Sequence, residues 1–276
     1  MDGTTEPIIA VLGHPIAGNP SQLAIERAFA AMKLDWRVMS FDVSPENLPI
    51  ALAGLEVLGV RGILLGPHLV SAAACWAAGH LPDPSGPVVL DCFYRDPIAR
   101  SGLQASTSQS SGLLGFDAES QWISAQILAH LSAKGNDSTA SACVIGEIRR
   151  DLDTLFPEPF RETLKQALAE SDPSSEDQAD SNRPSIATAD IILVGEIDAD
   201  AVALEIEDAS GLSPTCLVID LSNSEAVAET LSNFNVTLMN IDQRRVGMIC
   251  QCIEKWVGRT PPEDIVIDAI EEYMAV

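Results

Sequence analysis

Short, strongly apolar runs that stop at glycine or proline alternate along this chain with stretches of helical periodicity. That alternation restricts the fold more than any other feature. Ile8-Ile9-Ala10-Val11-Leu12 is β-rich and ends at Gly13 and Pro15, the pattern of a buried strand leading into a turn. After Pro20-Ser21, the apolar residues Ile25, Phe29 and Met32 recur at helical spacing. Trp36 to Val43 alternates like a half-buried strand, Leu48 to Leu58 reads as a helix, and Gly62-Ile63-Leu64-Leu65 reads as another buried strand. Strands separated by helices imply crossover connections, so the pattern predicts an α/β domain with a largely parallel sheet.

The stretch from Pro82 to Gly112 is rich in Pro, Ser and Gly and has the chemistry of a loop. A helix should follow, with Trp122, Ile123, Ile127, Leu128 and Leu131 on one side, and Lys134 to Ser141 reads as a linker. Ala142-Cys143-Val144-Ile145 is then a strand ending at Gly146 and opens a second unit. In that unit Pro159 to Glu170 is helix-like, and Ser171 to Ser185 is a polar, acidic loop. Ile191 to Gly195 and Cys216 to Asp220 are β-rich, and a helix is predicted over Ser224 to Leu231. Val246 to Val257 and Pro262 to Met274 are terminal helices, and no solenoid period is present. At 276 residues and 46% hydrophobic content, the chain can bury two cores of this kind.

Charge limits the partners. Sixteen Lys and Arg stand against 40 Asp and Glu, a formal net charge of −24. Nucleic acid and anionic membranes are held mainly by clustered basic residues, so neither is an expected partner. No apolar run approaches the ~20 residues that cross a bilayer, and Met1-Asp2-Gly3-Thr4-Thr5-Glu6 lacks the basic start of a secretory signal. The six cysteines are scattered, several in apolar runs, and read as buried free thiols in a reducing compartment. Cys250 and Cys252 lack the second pair that a zinc site needs, so no metal is expected and the cytoplasm is the expected location.

Two motifs then give the chain a family likeness. Val11-Leu12-Gly13-His14-Pro15-Ile16-Ala17 leads through Ser21 to Ala28-Phe29, and Gly59-Val60-Arg61-Gly62 leads through Pro67-His68 to Leu69. In this order they resemble the GHPI…S…S…AF and GxxG…PHK segments of shikimate dehydrogenases. Near the end, Glu254-Lys255-Trp256-Val257-Gly258 with Pro261 resembles the family's F-x-x-W-T-G-x-x-P stretch. The resemblance implies an N-terminal α/β substrate domain, a Rossmann-like doubly wound domain, and C-terminal helices that return to the first domain. The boundaries it implies are 1–115 with 246–276 for the first domain and 116–245 for the second. It also implies NADP as cofactor and the interconversion of 3-dehydroshikimate and shikimate as the family reaction.

Carried over residue by residue, the resemblance meets several replacements. The two carboxylate-binding serines correspond to Asn19 and Ser21, and Ser21 has the alternative of capping the helix behind it. The catalytic lysine corresponds to Leu69, which has no proton to give. The G-x-N-T-D stretch corresponds to Gly115-Phe116-Asp117-Ala118-Glu119, so the catalytic aspartate becomes Glu119 and the asparagine becomes Asp117. An anionic substrate is disfavoured beside that new charge. The asparagine of the family's GAVNT stretch has no counterpart, because no asparagine lies between Leu81 and Leu114. The family glutamine near the C-terminal helices corresponds to Met248, with Gln251 almost one turn further on.

The cofactor loop changes most. A glycine-rich turn lets backbone N–H groups approach a pyrophosphate, but the chain has Gly146-Glu147-Ile148-Arg149-Arg150. Only Gly146 survives, and Arg149 and Arg150 could hold a phosphate by charge or could pair with neighbouring acids. Asn182-Arg183 echoes the N-R-T clamp for the 2′-phosphate but sits in the polar loop. Three readings follow. One is a working oxidoreductase of this family. Another is a non-catalytic relative that binds a small acid, a protein partner or a second copy. The third is an enzyme of different chemistry that uses Glu119 or Asp117 as base.

Overall fold

The computed structural model describes residues 6–78, 89–95, 112–135, 140–148, 150–171, 186–208 and 211–275. The chain forms two compact units, residues 1–119 with 246–276 and residues 120–245. Both are α/β.

The first unit is built on a five-stranded sheet of β1 (Ile8–Gly13), β2 (Arg37–Asp42), β3 (Gly62–Leu65), β4 (Cys92–Tyr94) and β5 (Leu114–Phe116), in the order β2-β1-β3-β4-β5. β1, β2 and β3 are parallel, β4 runs antiparallel to β3 and β5 antiparallel to β4, so the sheet is mixed. β4 falls inside the stretch whose composition reads as loop. Cys92-Phe93-Tyr94 is too short to show a period there, and pairing with β3 is what makes it a strand.

Side chains alternate across this sheet. Ile9, Val11 and Leu64 face one core with Ile25 and Phe29 of α1 (Ser21–Ala31), Ile253 and Trp256 of α9 (Ile241–Val257), and Ile270 of α10 (Glu263–Met274). Ala10, Leu12, Ile63 and Leu65 face the other core, under α2 (Leu48–Val57) and α3 (Val70–Ala78). Both terminal helices thus pack on the first sheet, and the Trp256 indole donates to the Phe93 carbonyl at 2.9 Å. α9 starts five residues before the Val246 read from sequence, because Asn240 caps it. Its side chain accepts from Gln243 N, and Gln243 reaches back to Asn240 N.

The second unit holds a parallel sheet of β6 (Ala142–Ile145), β7 (Ile191–Val194), β8 (Leu217–Asp220) and β9 (Thr237–Met239), paired in that order. Helices cover both faces. Ile123, Ile127 and Leu131 of α4 (Ala118–Ala133) and Leu164 of α6 (Arg161–Ser171) pack with Leu193 and Ile219. α7 (Ala199–Asp208) and α8 (Glu225–Ser232) pack with Val194 and Val218. The four-residue α5 (Leu152–Leu155) follows β6. The first-to-second boundary falls inside the first turn of α4 rather than ahead of it, and Asp91 is the reason, as described next.

Candidate functional site

The carboxyl ends of parallel strands are where open α/β sheets bind ligands, and in the first unit that edge gathers the residues singled out from sequence. β1, β2 and β3 end there at Gly13, Asp42 and Leu65. Because β4 is antiparallel to β3 and β5 to β4, the start of β4 and the end of β5 lie at the same edge. His14, Asp42, Leu69, Asp91, Asp117 and Glu119 therefore share it. The loops Gly13–Asn19, Asp42–Asn47, Gly66–Leu69 and Asp117–Glu119 contain no lysine or arginine. The edge is acidic. His14 Nδ1 lies 2.7 Å from Asp42 Oδ1, a hydrogen bond that holds the Asp42 carboxyl below its ordinary pKa.

Asp91 is the residue that sequence reasoning passed over. It is 2% exposed, and its main-chain oxygen accepts from Leu65 N at 2.8 Å. Its two carboxylate oxygens accept from Ala118 N at 2.7 Å and Glu119 N at 2.9 Å, so it caps α4 from a distant strand. Burial, with the Asp117 charge adding to it, pushes its pKa up to about 7. The signal was an acid inside the apolar run Val89-Leu90-Asp91-Cys92-Phe93.

The other expected residues scatter in role. Leu69 closes a 3₁₀ turn at Pro67–Leu69, is fully buried, and packs in the core with Leu65 and Ala73. Asn19 uses its side-chain oxygen on Ser21 N at 2.9 Å. Ser21 is 3% exposed and sits in the first turn of α1, with Pro20 at the cap position and no side-chain cap, so it does not cap the helix. Met248 and Gln251 are half-buried on α9, with Met248 packed against the core. Asp117 and Glu119 flank the α4 terminus that Asp91 holds. A depression of about 240 Å³ lies to one side, between Ile16, Asn19, Ser40, Glu26 and Tyr273. Of the expected ligands it includes Asn19 and none of the carboxylates at the edge.

Cysteine chemistry is not available in the cores. Cys216 and Cys250 are buried and pushed up to about 12 by desolvation, which keeps them as thiols. Cys75 is exposed, a departure from the reading of uniformly buried thiols, because it lies on the outer side of α3. Among the described residues no cluster of His, Cys, Asp and Glu could hold a metal, and no helix is long and apolar enough to cross a membrane.

In the second unit the expected cofactor loop follows β6. Gly146 adopts φ +80°, and a Cβ on it would lie 2.8 Å from the Glu196 oxygen. The loop after β6 is zipped to the loop after β7: Glu147 N donates to Glu196 O at 3.2 Å, Glu196 N to Glu147 O at 2.9 Å, and Gly195 N to Ile145 O at 2.8 Å. A Cβ on Gly195 would overlap the Glu147 carbonyl. The N–H that a pyrophosphate would use at Glu147 is spent on protein. The next helix, α5, has four residues, and Asp151 already accepts from Asp153 N at its start. Arg150 donates to Ser120 Oγ at 3.1 Å. Arg149, His80 and Asn182-Arg183 lie outside the described residues. Among the described residues, this loop and the start of α5 do not fit the pyrophosphate of NADP, because Glu147 N is bonded to Glu196 O and the Asp151 carboxylate stands at the α5 N-terminus.

No protein-family model matches the chain. Among known proteins, the NADP(+)-dependent shikimate dehydrogenase of Methanothermobacter thermautotrophicus is 38% identical over 56 residues, covering 20% of each chain. That of Moorella thermoacetica is 46% identical over 55 residues, 20% of this chain and 19% of the relative. The matched stretch thus spans about a fifth of these relatives' length. Solved structures agree over nearly the whole chain. A 5-ketofructose reductase from Gluconobacter sp. strain CHM43 superposes with a TM-score of 0.62 at 15% identity, over 98% of this chain and 99% of that one. The Mycobacterium tuberculosis shikimate dehydrogenase does so at 0.61 and 15%, over 96% and 99%. The fold is the two-domain α/β fold of these proteins.

Proposed function

We propose that this chain is a divergent shikimate dehydrogenase-like protein that has lost the family's NADP-dependent interconversion of 3-dehydroshikimate and shikimate and serves as a regulatory or scaffold protein. The observation that carries this reading is the backbone zip between Glu147 and Glu196, together with the Asp151-capped stub of a helix behind it. Hydride transfer needs a bound dinucleotide, and a dinucleotide needs backbone donors at that turn. The second support is Leu69. A residue without a titratable proton, fully buried in the core, cannot move a proton at a carbonyl oxygen.

The edge electrostatics favour the scaffold reading over binding of a small acid. Asp42, Asp91, Asp117 and Glu119 share the strand edge at which open α/β sheets bind ligands, and no lysine or arginine stands in those loops to offset them for an anionic ligand. The fold alone decides nothing, since it also serves the reductase named above. Calorimetric titration with NADPH and with NADP⁺, beside an assay of shikimate oxidation, tests the reading. No binding up to about 1 mM and no turnover are expected. Micromolar NADPH affinity, or turnover within the usual ~1–10³ per second of enzymes, would overturn it.

A further inference from the structure

β4 carries a reactive group that the site does not use, the Cys92 thiol. In register across the sheet, Cys92 stands between Leu64 of β3 and Phe116 of β5, and all three side chains belong to the core that α9 covers. α9 is fastened to β4 at the neighbouring residue. The Trp256 indole donates to the Phe93 carbonyl at 2.9 Å, and a Cβ on Gly62 would overlap that indole. Cys252 lies about one helical turn before Trp256 and so on the same face of α9. Strand and helix therefore bring Cys92 and Cys252 together. Both are fully buried and share a hydrogen bond, and Cys92 Sγ in turn donates to the Phe93 oxygen at 3.9 Å.

This contact singles out one pair among the buried cysteines. Cys143 of β6 and Cys216, just ahead of β8, also share a core, but β7 runs between β6 and β8. Neighbouring strands lie ~4.8 Å apart, so two such spacings put those Cα atoms beyond the ~7 Å that a disulfide spans. Cys250 is two residues from Cys252 on α9 and projects from a different side of the helix.

We propose that Cys92 and Cys252 are a redox latch: a small peroxide converts the two thiols into an intramolecular disulfide that ties α9 to β4 and fixes the C-terminal helices on the first sheet. One thiol takes an oxygen from the peroxide, giving a sulfenic acid and one water. The other thiol attacks that sulfur, forming the S–S bond and releasing a second water. Two thiols are oxidised, and the peroxide is reduced to two waters. The proposal rests on the packing of the first unit alone and not on the loss of NADP chemistry. In the closed core the pair is silent. Burial, and then the bond to Cys92, push the Cys252 thiol well above its ordinary pKa, which keeps it protonated. Oxidation therefore goes through local opening of α9. The disulfide forms when the helix loosens and holds it once it has returned. Because the two residues are far apart in sequence, the crosslink also constrains the unfolded chain and so raises stability.

A Cys75→Ser variant of the full chain, which removes the exposed thiol, tests this after incubation with a small excess of hydrogen peroxide at urea concentrations below its unfolding midpoint. Of the six cysteines, five remain in this variant, and titration of the denatured protein should show the thiols fall from five to three. Peptide mapping without reductant should show Cys92 joined to Cys252. The oxidised protein should melt roughly 5 °C or more above the reduced one, a gain that dithiothreitol reverses. Adding Cys250→Ala should leave the loss of two thiols intact, and adding Cys252→Ala should abolish it. Because Cys252→Ala also leaves a cavity in the core, the peptide map of the Cys75→Ser protein decides by itself. Five thiols surviving at every urea concentration below the midpoint, a link from Cys92 to any other cysteine, or a linked protein that melts at or below the reduced one would each overturn the proposal.

Discussion

Asp91 holds the start of α4 from a distant strand, and its protonation should be visible in stability. Its pKa rises from 3.8 to about 7 in the folded chain because burial and the Asp117 charge oppose its ionisation more than two backbone N–H groups favour it. The folded state then binds the proton more tightly than the unfolded one. This contribution to stability is full below the unfolded pKa and is lost as pH rises through 7. Between pH 8 and pH 6 it should add roughly 1.4 kcal/mol, a slope that Asp91→Asn should remove. Urea denaturation of both proteins across that window measures it, and equal slopes would refute the assignment. Leu69 gives a second case. Leu69→Lys places an amine in a fully buried apolar site and should cost ~3 kcal/mol or more, whereas Leu69→Met should cost less than ~1.5 kcal/mol. The lysine variant should show no shikimate turnover. Robust activity would mean that position 69 opens to solvent and substrate.

At the scale of elements, the loop after β6 behaves as part of the sheet rather than as a ligand cradle. Gly195 is required there because the Glu147 carbonyl occupies the space of its missing side chain. Gly195→Ala should therefore destabilise the second unit by ~1–3 kcal/mol. Gly54→Ala, in open space on α2, should stabilise the first unit by ~0.5–1 kcal/mol. Thermal or denaturant unfolding of both variants decides, and the two alanines having the same sign would contradict this picture of the glycines. The short α5 belongs to the same argument. Phe156 and Phe160 are buried beside β7 and β8, so the chain after β6 turns early to fill the core instead of extending a helix from the loop.

For the molecule as a whole, charge is the dominant long-range term. With 40 acids against 16 bases, the compact chain repels itself, because the acids outnumber the bases that could pair with them. The thermal midpoint should rise between about 0.02 M and 0.5 M salt as screening shortens the reach of that repulsion from ~20 Å to ~4 Å. A midpoint that falls would mean that ion pairs such as Lys134–Asp190, at 2.8 Å, outweigh the net charge.

The amino-acid sequence by itself determined the α/β class and most strands and helices, because buried runs such as Ile191–Val194 and periodic stretches such as Leu48–Val57 carry their period locally. It also placed Leu69, Asn19 and Glu147-Ile148-Arg149 where the resemblance implies a lysine, a serine and a glycine-rich turn, since those are identities at positions. Other features were decided only by tertiary structure. β4 was hidden in loop composition, because three residues become a strand through their neighbour rather than through their own pattern. Asp91 gained its role from Ala118 and Glu119, which lie 27 and 28 residues away. The cofactor loop could have been read as open, with two arginines waiting for a phosphate. The pairing of Glu147 with Glu196 there is made by backbone groups of two loops far apart in sequence, with Gly146 and Gly195 leaving the room for it. Long-range hydrogen bonds of this kind leave no trace in local composition, so only the tertiary structure could show them.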